Sequence, residues 1–140
     1  MKLFLASMIA LIFSYPDCYS QANTISPDKI LSLYWSPKKD AKIQIYKKGE
    51  MYFGNFQWMA TPRKDTKNPD QSLQQRNILG LEFLSGFSYS NNEYTGGKIY
   101  DPKSGKTYDC KMFLKADDLQ VRGYIGLSIF GRTEVFERVK

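Results

Sequence analysis

Short segments in which apolar and polar residues alternate recur along most of this chain, and each ends at residues typical of turns. In residues 42–47, for example, Ile43 and Ile45 share one side, and in residues 108–115 the side chain of Cys110 lies on the apolar side. A period of two places successive side chains on opposite faces of a β-strand, whereas an amphipathic helix needs apolar residues three or four positions apart. The pattern therefore predicts an all-β fold.

Seven segments carry this alternation, at residues 42–47, 51–59, 79–87, 94–100, 108–115, 119–125 and 133–138. Residues 30–35 add either an eighth strand or a short helix that covers one end of the sheet. Because no long helical pattern separates the segments, consecutive strands are expected to pair as an antiparallel meander.

Several glycines fall inside these segments rather than between them, namely Gly54, Gly96, Gly97 and Gly123. Glycine weakens a strand unless the chain must bend, bulge or let another backbone come close. The corners of a small closed barrel have these requirements, and closure also removes the exposed edges of an open sheet. We therefore predict a single meander of seven or eight strands that closes into a small barrel.

The longest stretch without this alternation connects two strands at residues 60–78. Within it Asn68 can serve as an N-cap, with Pro69 at the first helical position and Gln71 at the third, which is a combination typical of a helix start. One short helix is therefore predicted in this connection. Connections longer than about 12 residues are often functional or mobile.

The beginning of the chain has the features of a secretory signal peptide. Lys2 supplies a positive charge, residues 3–13 form an apolar run, and the small residues Cys18 and Ser20 precede Gln21. An apolar run this short cannot span a membrane, which takes about 20 residues. No second run follows, so no transmembrane segment is predicted. We expect export, a signal peptide at residues 1–20 that is cleaved near Ser20-Gln21, a disordered leader at 21–29 and a barrel domain at 30–140.

The residue types present exclude several classes of site. The chain has no histidine, so Ser-His-Asp and Cys-His nucleophilic sites and zinc sites built on imidazole cannot form. Asp65, Asn68 and Asp70 offer oxygen atoms at close spacing, and the two carboxylates are also a candidate acid–base pair. The EF-hand pattern is missing, however, and a capped helix start accounts for Asn68 and Asp70. No metal, cofactor or enzymatic activity is predicted, and Cys110 is predicted to be buried.

A set of short motifs occurs in an order seen in one bacterial family. They are Asn68-Pro69-Asp70, Arg76, Leu79-Gly80-Leu81, Gly86-Phe87, the string from Gly96 to Pro102, Gly105-Lys106-Thr107-Tyr108, the string from Val121 to Gly126, and Gly131-Arg132-Thr133. On these residues the chain resembles the small exported bacterial proteins grouped as domain of unknown function 2147 (DUF2147), over about residues 33–139. The string from Gly96 to Tyr108 is the most specific piece, because it joins two strands through a defined turn.

The resemblance implies a location and a fold but no established activity. It implies export to the periplasm or beyond, and a compact lipocalin-like barrel. The chain departs from the family where Tyr94 and Phe136 stand in place of common tryptophans. It also has Tyr124 and Phe130 where cysteines are frequent, which fits a barrel in which a family disulfide is optional.

A small closed barrel is either just filled by side chains or able to hold one small ligand. The leading hypothesis is that one barrel end binds a small amphipathic or lipid-like molecule. The candidate binding residues are Tyr94, Tyr100 and Tyr108 around the glycine-rich hairpin, with Arg76 and Arg122 as partners for a carboxylate or phosphate head group. A second interpretation of Arg122 places it on the outer face, paired with Glu134 or Glu137. The aromatic residues expected to fill the barrel are Trp35, Phe53, Phe56, Trp58, Phe83, Phe87, Tyr100, Tyr108 and Phe113.

The alternative hypothesis is an envelope interaction or structural module with a filled core and no ligand, which acts through its basic faces and the 60–78 connection. The chain carries 20 Lys and Arg against 14 Asp and Glu, for a net charge of +6. Interleaved basic and aromatic residues can bind nucleic acid, but an exported protein seldom meets any, so no nucleic-acid partner is predicted. The basic surface is interpreted as a solvated face or as a weak attraction to anionic envelope components.

Overall fold

The computed structural model describes residues 23–140 as one closed sheet. The strands are β1 (Leu33–Trp35), β2 (Ala41–Lys48), β3 (Met51–Met59), β4 (Glu82–Ser90), β5 (Glu93–Asp101), β6 (Lys106–Lys115), β7 (Asp118–Tyr124) and β8 (Arg132–Arg138). Each strand pairs antiparallel with the next, and β8 pairs back onto β1. The predicted barrel is confirmed, with eight strands. The predicted signal peptide lies outside the described residues.

The two alternatives left open for residues 30–35 are both realised. A 3₁₀ helix at Pro27–Ile30 covers one end of the barrel, and Leu33–Trp35 then forms the first strand. The segment predicted to start at Leu79 enters the sheet only at Glu82. The preceding residues turn, with Gly80 in the left-handed region at φ +84° and its N–H bonded to the carbonyl of Phe56.

The N-terminal 3₁₀ helix is held in place by tyrosines of the barrel. Tyr34 donates its hydroxyl hydrogen bond to the carbonyl of Ile30 at 2.9 Å, and Tyr94 donates to the carbonyl of Pro27. Beside them, the Tyr52 hydroxyl donates to the Asp28 carboxylate at 2.7 Å. The stretch 25–29, expected to belong to a disordered leader, instead contacts the barrel and closes one end of it. We call this the closed end.

The core fills this closed half of the barrel. Its fully buried members come from the first seven strands and from the N-terminal 3₁₀ helix: Ile30, Tyr34, Ile43, Ile45, Tyr52, Leu84, Phe87, Tyr94, Cys110, Met112 and Leu119. Period-two burial places Ala41, Ile43 and Ile45 inward on β2, as the alternation predicts. The prediction that Cys110 is buried is confirmed.

Several aromatic residues expected inside the barrel lie on its outer wall instead. Since Tyr34 points inward, the next residue, Trp35, points outward, where it meets Trp58 edge to face at 5.9 Å. The ammonium group of Lys42 lies 4.4 Å from the centre of the Trp35 ring, a favourable cation–π distance. Phe53 stacks on Tyr46 at 6.0 Å. Alternation places two adjacent aromatic residues on opposite faces of the strand, but it does not determine which of the two faces the core.

The 60–78 connection contains one short helix, as predicted, but its start differs. The helix is a 3₁₀ turn at Gln71–Leu73, and its cap is Asp70, whose carboxylate accepts the N–H of Ser72 at 3.0 Å. Asn68, the predicted cap, accepts the N–H of Asp70 at 2.8 Å one turn earlier. The polar spacing identified a capped start but placed it two residues early. Among residues 23–140 no helix is both long and apolar enough to cross a membrane.

Candidate functional site

The half of the barrel opposite the closed end contains a cavity of about 720 Å³ that opens to solvent. We call this end the mouth. The walls of the cavity are apolar and come from seven strands: Ala41, Phe56, Met59, Phe83, Ile99, Tyr108, Val121 and Phe136 among others. Phe56 and Phe83 stack at 4.2 Å on one wall. Phe83, Val121 and Phe136 are almost fully buried, so they form the deep part of the site.

On β2 and β7 the inward side chains become smaller toward the mouth, which leaves space for the cavity. Along β7 the inward positions are Leu119, Val121 and Gly123, and along β2 they run from Ile45 to Ala41. A side chain added at Gly123 meets only an ordinary contact, 3.5 Å from Ile99. Interior volume that large side chains occupy at the closed end is therefore left open at the mouth.

The rim of the mouth is charged. Lys38, Arg63, Lys103 and Arg132 supply positive charge, and Asp40, Asp101 and Glu134 supply negative charge. Two of these acids are engaged within their own loops. Asp40 accepts the Ser36 hydroxyl at 2.8 Å, which holds the pKa of Asp40 below its usual value, and Asp101 accepts the Ser104 hydroxyl at 2.8 Å. Both carboxylates keep their charge, and Glu134 lies 3.9 Å from Arg132. Within residues 23–140, Lys38, Arg63 and Lys103 are the rim cations without an ion pair, so they are the candidates for an anionic group.

The register of β7 and β8 explains why charged residues line the mouth. Leu119 pairs with Phe136, Val121 with Glu134, and Gly123 with Arg132. Residues directly opposite in an antiparallel pair share a face. The lumen side of β8 therefore changes from the buried Phe136 to two exposed charged residues at the rim.

A buried carboxylate fastens the 60–78 connection to the barrel wall near the mouth. Asp65 is fully buried, and it accepts hydrogen bonds from the Tyr100 hydroxyl at 2.6 Å, from Asn68 Nδ2 at 2.9 Å and from Arg76 Nε at 2.8 Å. Burial raises the pKa of Asp65, but the three hydrogen bonds outweigh it and hold the pKa below its usual value. The donors that surround Asp65 and the capping role of Asp70 give both carboxylates of the candidate acid–base pair a structural function.

Of the five predicted binding residues, two line the cavity. Tyr100 and Tyr108 lie in its wall. Arg76 lies behind Tyr100, with its guanidinium carbon 5.6 Å from the ring centre, and lines a separate groove of about 380 Å³. Tyr94 lies at the closed end, where it binds the N-terminal segment. The glycine-rich hairpin does not bring its three tyrosines together. Tyr94 and Tyr100 lie toward opposite ends of β5, and Tyr108 on β6 pairs with Ile99, next to Tyr100.

Arg122 lies outside the cavity, and its donors are occupied. Its Nε donates to the carbonyl of Ser128 at 2.6 Å, its Nη1 to the Thr133 hydroxyl at 2.8 Å and its Nη2 to the carbonyl of Ile129 at 3.1 Å. The outer-face interpretation is therefore correct, but the expected partners are not. Glu134 is opposite Val121 in the strand register, so it lies on the other face of the sheet from Arg122. Glu137 forms its ion pair with Lys39 instead.

Most of the residues that form the deep wall and the rim are not identified by the sequence analysis. By residue type alone, Val121 and Phe136 cannot be told from other core residues, nor Arg63 and Lys103 from other surface charges. One signal was present in the sequence: the series Leu119, Val121, Gly123 decreases in size along one face of a strand. This decrease indicates a cavity only once it is known that the Gly123 end of the strand lies at the open end of the barrel.

Cys110 is the free cysteine of the described residues, and it is buried. Burial raises the pKa of the Cys110 thiol to about 12, so the reactive thiolate is scarce near neutral pH. Within the described part of the chain, no group of three or more His, Cys, Asp or Glu side chains is arranged to hold a metal ion.

Comparisons with known proteins agree with this architecture. A family model described as an uncharacterized protein conserved in bacteria, DUF2147, matches residues 33–138. Among solved structures, the barrel is similar to a protein from the human pathogen Helicobacter pylori that is described as belonging to the lipocalin family. The TM-score is 0.72, with 21% identity over 79% of this chain and 83% of that one, a likeness of fold alone. No curated protein matches the chain significantly.

Proposed function

This chain belongs to the DUF2147 family, and we propose that its barrel binds one small amphipathic molecule in the cavity at the mouth. The apolar part of the ligand lies against Phe83, Val121 and Phe136. An anionic head group, a carboxylate or phosphate, lies at the rim near Arg63 and Lys103. The observation that carries this proposal is the cavity itself, open at one end, apolar in its depth and charged at its rim.

The size and chemistry of the cavity support a ligand rather than a filled core. Its volume of about 720 Å³ falls in the range of about 300–1,000 Å³ typical of small-molecule sites. Such sites combine apolar walls with a few polar groups that fix orientation. A lipocalin-like barrel of eight strands is also a fold in which an interior of this size is possible.

Native mass spectrometry of the purified protein is the first test. Retention of a lipid-like mass at one copy per chain supports the proposal. A clean mass, together with failure to bind any amphipathic probe, supports the alternative of an interaction module without a ligand.

A second test uses the anionic amphipathic probe 1-anilinonaphthalene-8-sulfonate and a variant that fills the cavity. Gly123→Phe adds an aromatic ring at an inward position on the cavity wall, where a Cβ makes only ordinary contacts and the ring can extend into the cavity. We expect one probe to bind per native chain, with at least tenfold weaker affinity in this variant. Val135→Phe adds the same ring on the outer wall and should bind as the parent does. Equal affinities for all three proteins would contradict binding inside the barrel.

We also propose that the chain is exported and acts in the periplasm or outside the cell. The basis is the charged start, the short apolar run and the small residues before Gln21. Intact mass measurement of the protein recovered from the periplasmic fraction tests this, and cleavage between Ser20 and Gln21 is expected. A chain found in the cytoplasm at its full length would contradict it.

A further inference from the structure

The loop between β7 and β8 presents large apolar side chains to solvent. Ile125, Leu127, Ile129 and Phe130 are exposed to 78%, 64%, 73% and 77%. Single apolar residues on a protein surface are ordinary, but a contiguous group of them marks an interaction site. We call residues 125–130 the apolar loop.

The apolar loop is fixed in this exposed position by its backbone. Arg122 donates to the carbonyls of Ser128 and Ile129, and the loop contains a 3₁₀ turn in which Phe130 N–H donates to the carbonyl of Leu127 at 3.1 Å. Because the guanidinium holds the loop from the outer wall, the apolar side chains do not fold back over the barrel. Binding through this loop therefore requires little ordering of the chain.

The apolar loop lies at the end of the barrel where charged residues surround the mouth. The loop joins Gly123 to Arg132, and both residues line the mouth of the cavity. Lys38, Arg63 and Lys103 lie on the same rim, and within residues 23–140 none of these three forms an ion pair with a carboxylate. The whole chain has a net charge of +6. Exposed apolar side chains at the same end of a protein as basic ones are a combination that favours an anionic lipid surface.

We propose that the apolar loop binds the mouth of the barrel to an anionic lipid surface. The four apolar side chains enter the interfacial layer, and the basic rim residues lie next to the lipid head groups. A protein partner is less well supported, because a stable protein interface buries about 1,200 Å² or more, which a loop of six residues does not supply. This proposal uses the outer loop together with the basic rim, and it does not require a ligand in the cavity.

Cosedimentation with vesicles tests the proposal. The purified protein is mixed with vesicles of phosphatidylglycerol and phosphatidylcholine, and with vesicles of phosphatidylcholine alone. We expect binding to the anionic vesicles that weakens in 0.5 M NaCl, because salt screens exposed charges. The double variant Ile129→Ser, Phe130→Ser should bind at least tenfold more weakly. The matched control is Leu31→Ser, Met51→Ser, which removes two apolar side chains of 37% and 40% exposure near the closed end and should change binding less than twofold.

A fluorescence measurement gives a readout that does not depend on the serine variants. An environment-sensitive fluorophore is attached at Phe130→Cys in a Cys18→Ser background, where the buried Cys110 does not react. Its emission should shift to the blue with anionic vesicles, while the same label at Met51→Cys should not change.

Three outcomes would overturn the proposal. They are an unchanged signal from the label at position 130, equal vesicle binding by the loop variant and the parent, and self-association without lipid that the loop variant abolishes. The last result, measured by analytical ultracentrifugation, would assign the apolar loop to a second copy of this chain.

Discussion

The buried carboxylate of Asp65 is expected to contribute a large part of the stability of this fold. Asp65→Ala removes the acceptor of three hydrogen bonds, from Tyr100, Asn68 and Arg76. A hydrogen bond to a charged group contributes about 1.5–3 kcal/mol, and the contributions within one network are not additive. The Arg76 side chain is one-third exposed, so it regains water when the carboxylate is lost. We therefore expect a loss of about 3–4 kcal/mol in the free energy of unfolding.

The size of this loss can be checked by urea denaturation followed by circular dichroism. Folded domains have unfolding free energies of about 5–15 kcal/mol, so a change of this size is easily measured. Asp65→Asn keeps the shape of the side chain and part of its acceptor capacity, and should cost about 2 kcal/mol. Tyr100→Phe removes one donor and should cost about 1.5 kcal/mol.

A double-mutant cycle between Asp65→Ala and Tyr100→Phe isolates their interaction, because alanine leaves no acceptor for the Tyr100 hydroxyl. We expect a coupling energy of about 1 kcal/mol or more, because the two groups are in direct contact. Additivity of the two changes within about 0.5 kcal/mol, or a loss of less than about 1 kcal/mol in Asp65→Ala, would refute the reasoning. Either result would mean that the 60–78 connection is held by other contacts.

The pH dependence of stability provides a separate check on Asp65. Since its pKa is lower in the folded protein than in the unfolded chain, the unfolded state binds more protons in acid. The contribution of Asp65 is therefore complete above its unfolded pKa of about 3.9 and is lost as the pH falls through its lower folded value. Between pH 5 and 2 the unfolding free energy of Asp65→Asn should fall less steeply than that of the parent. Parallel curves would contradict the assignment.

Three further predictions concern the closed half of the barrel. Cys110 should remain unlabelled by iodoacetamide at pH 8 until the protein unfolds, as checked by peptide mapping, because it is buried and its pKa is raised to about 12. Gly97→Ala should lower the free energy of unfolding by about 1–3 kcal/mol, because a Cβ there would lie 2.5 Å from a ring carbon of Phe87. The control is Gly123→Ala, whose Cβ would make only ordinary contacts, so it should unfold at the same urea concentration as the parent. Tyr94→Phe should cost about 1 kcal/mol and expose the 25–29 segment to proteolysis; unchanged cleavage would argue against its anchoring role.

The cavity and the apolar loop lie at the same end of the barrel, so both proposals can hold for one molecule. A ligand that leaves a lipid surface would enter at the mouth without crossing water. The proposals remain separable, because Gly123→Phe alters the cavity wall and Ile129→Ser, Phe130→Ser alters only the exposed loop. Gly123→Phe therefore tests the cavity proposal, and the double serine variant tests the membrane proposal.

The sequence by itself determined the class of fold. A period of two in residues such as Ile43 and Ile45, ended by turns, is a local property of the backbone that needs no distant contact. Burial of Cys110 followed from the same alternation. Closure was signalled more indirectly, by Gly54 and Gly97, where a Cβ would lie within 3 Å of a neighbouring side chain.

The tertiary structure alone decided where the site lies. Tyr94 and Tyr100 stand six positions apart on one strand, but only the pairing of strands places one at the closed end and the other at the mouth. Arg122 and Glu134 carry opposite charges, but the register puts them on opposite faces. Which residues share a cavity depends on contacts between strands far apart in sequence, and alternation within one strand carries no information about them.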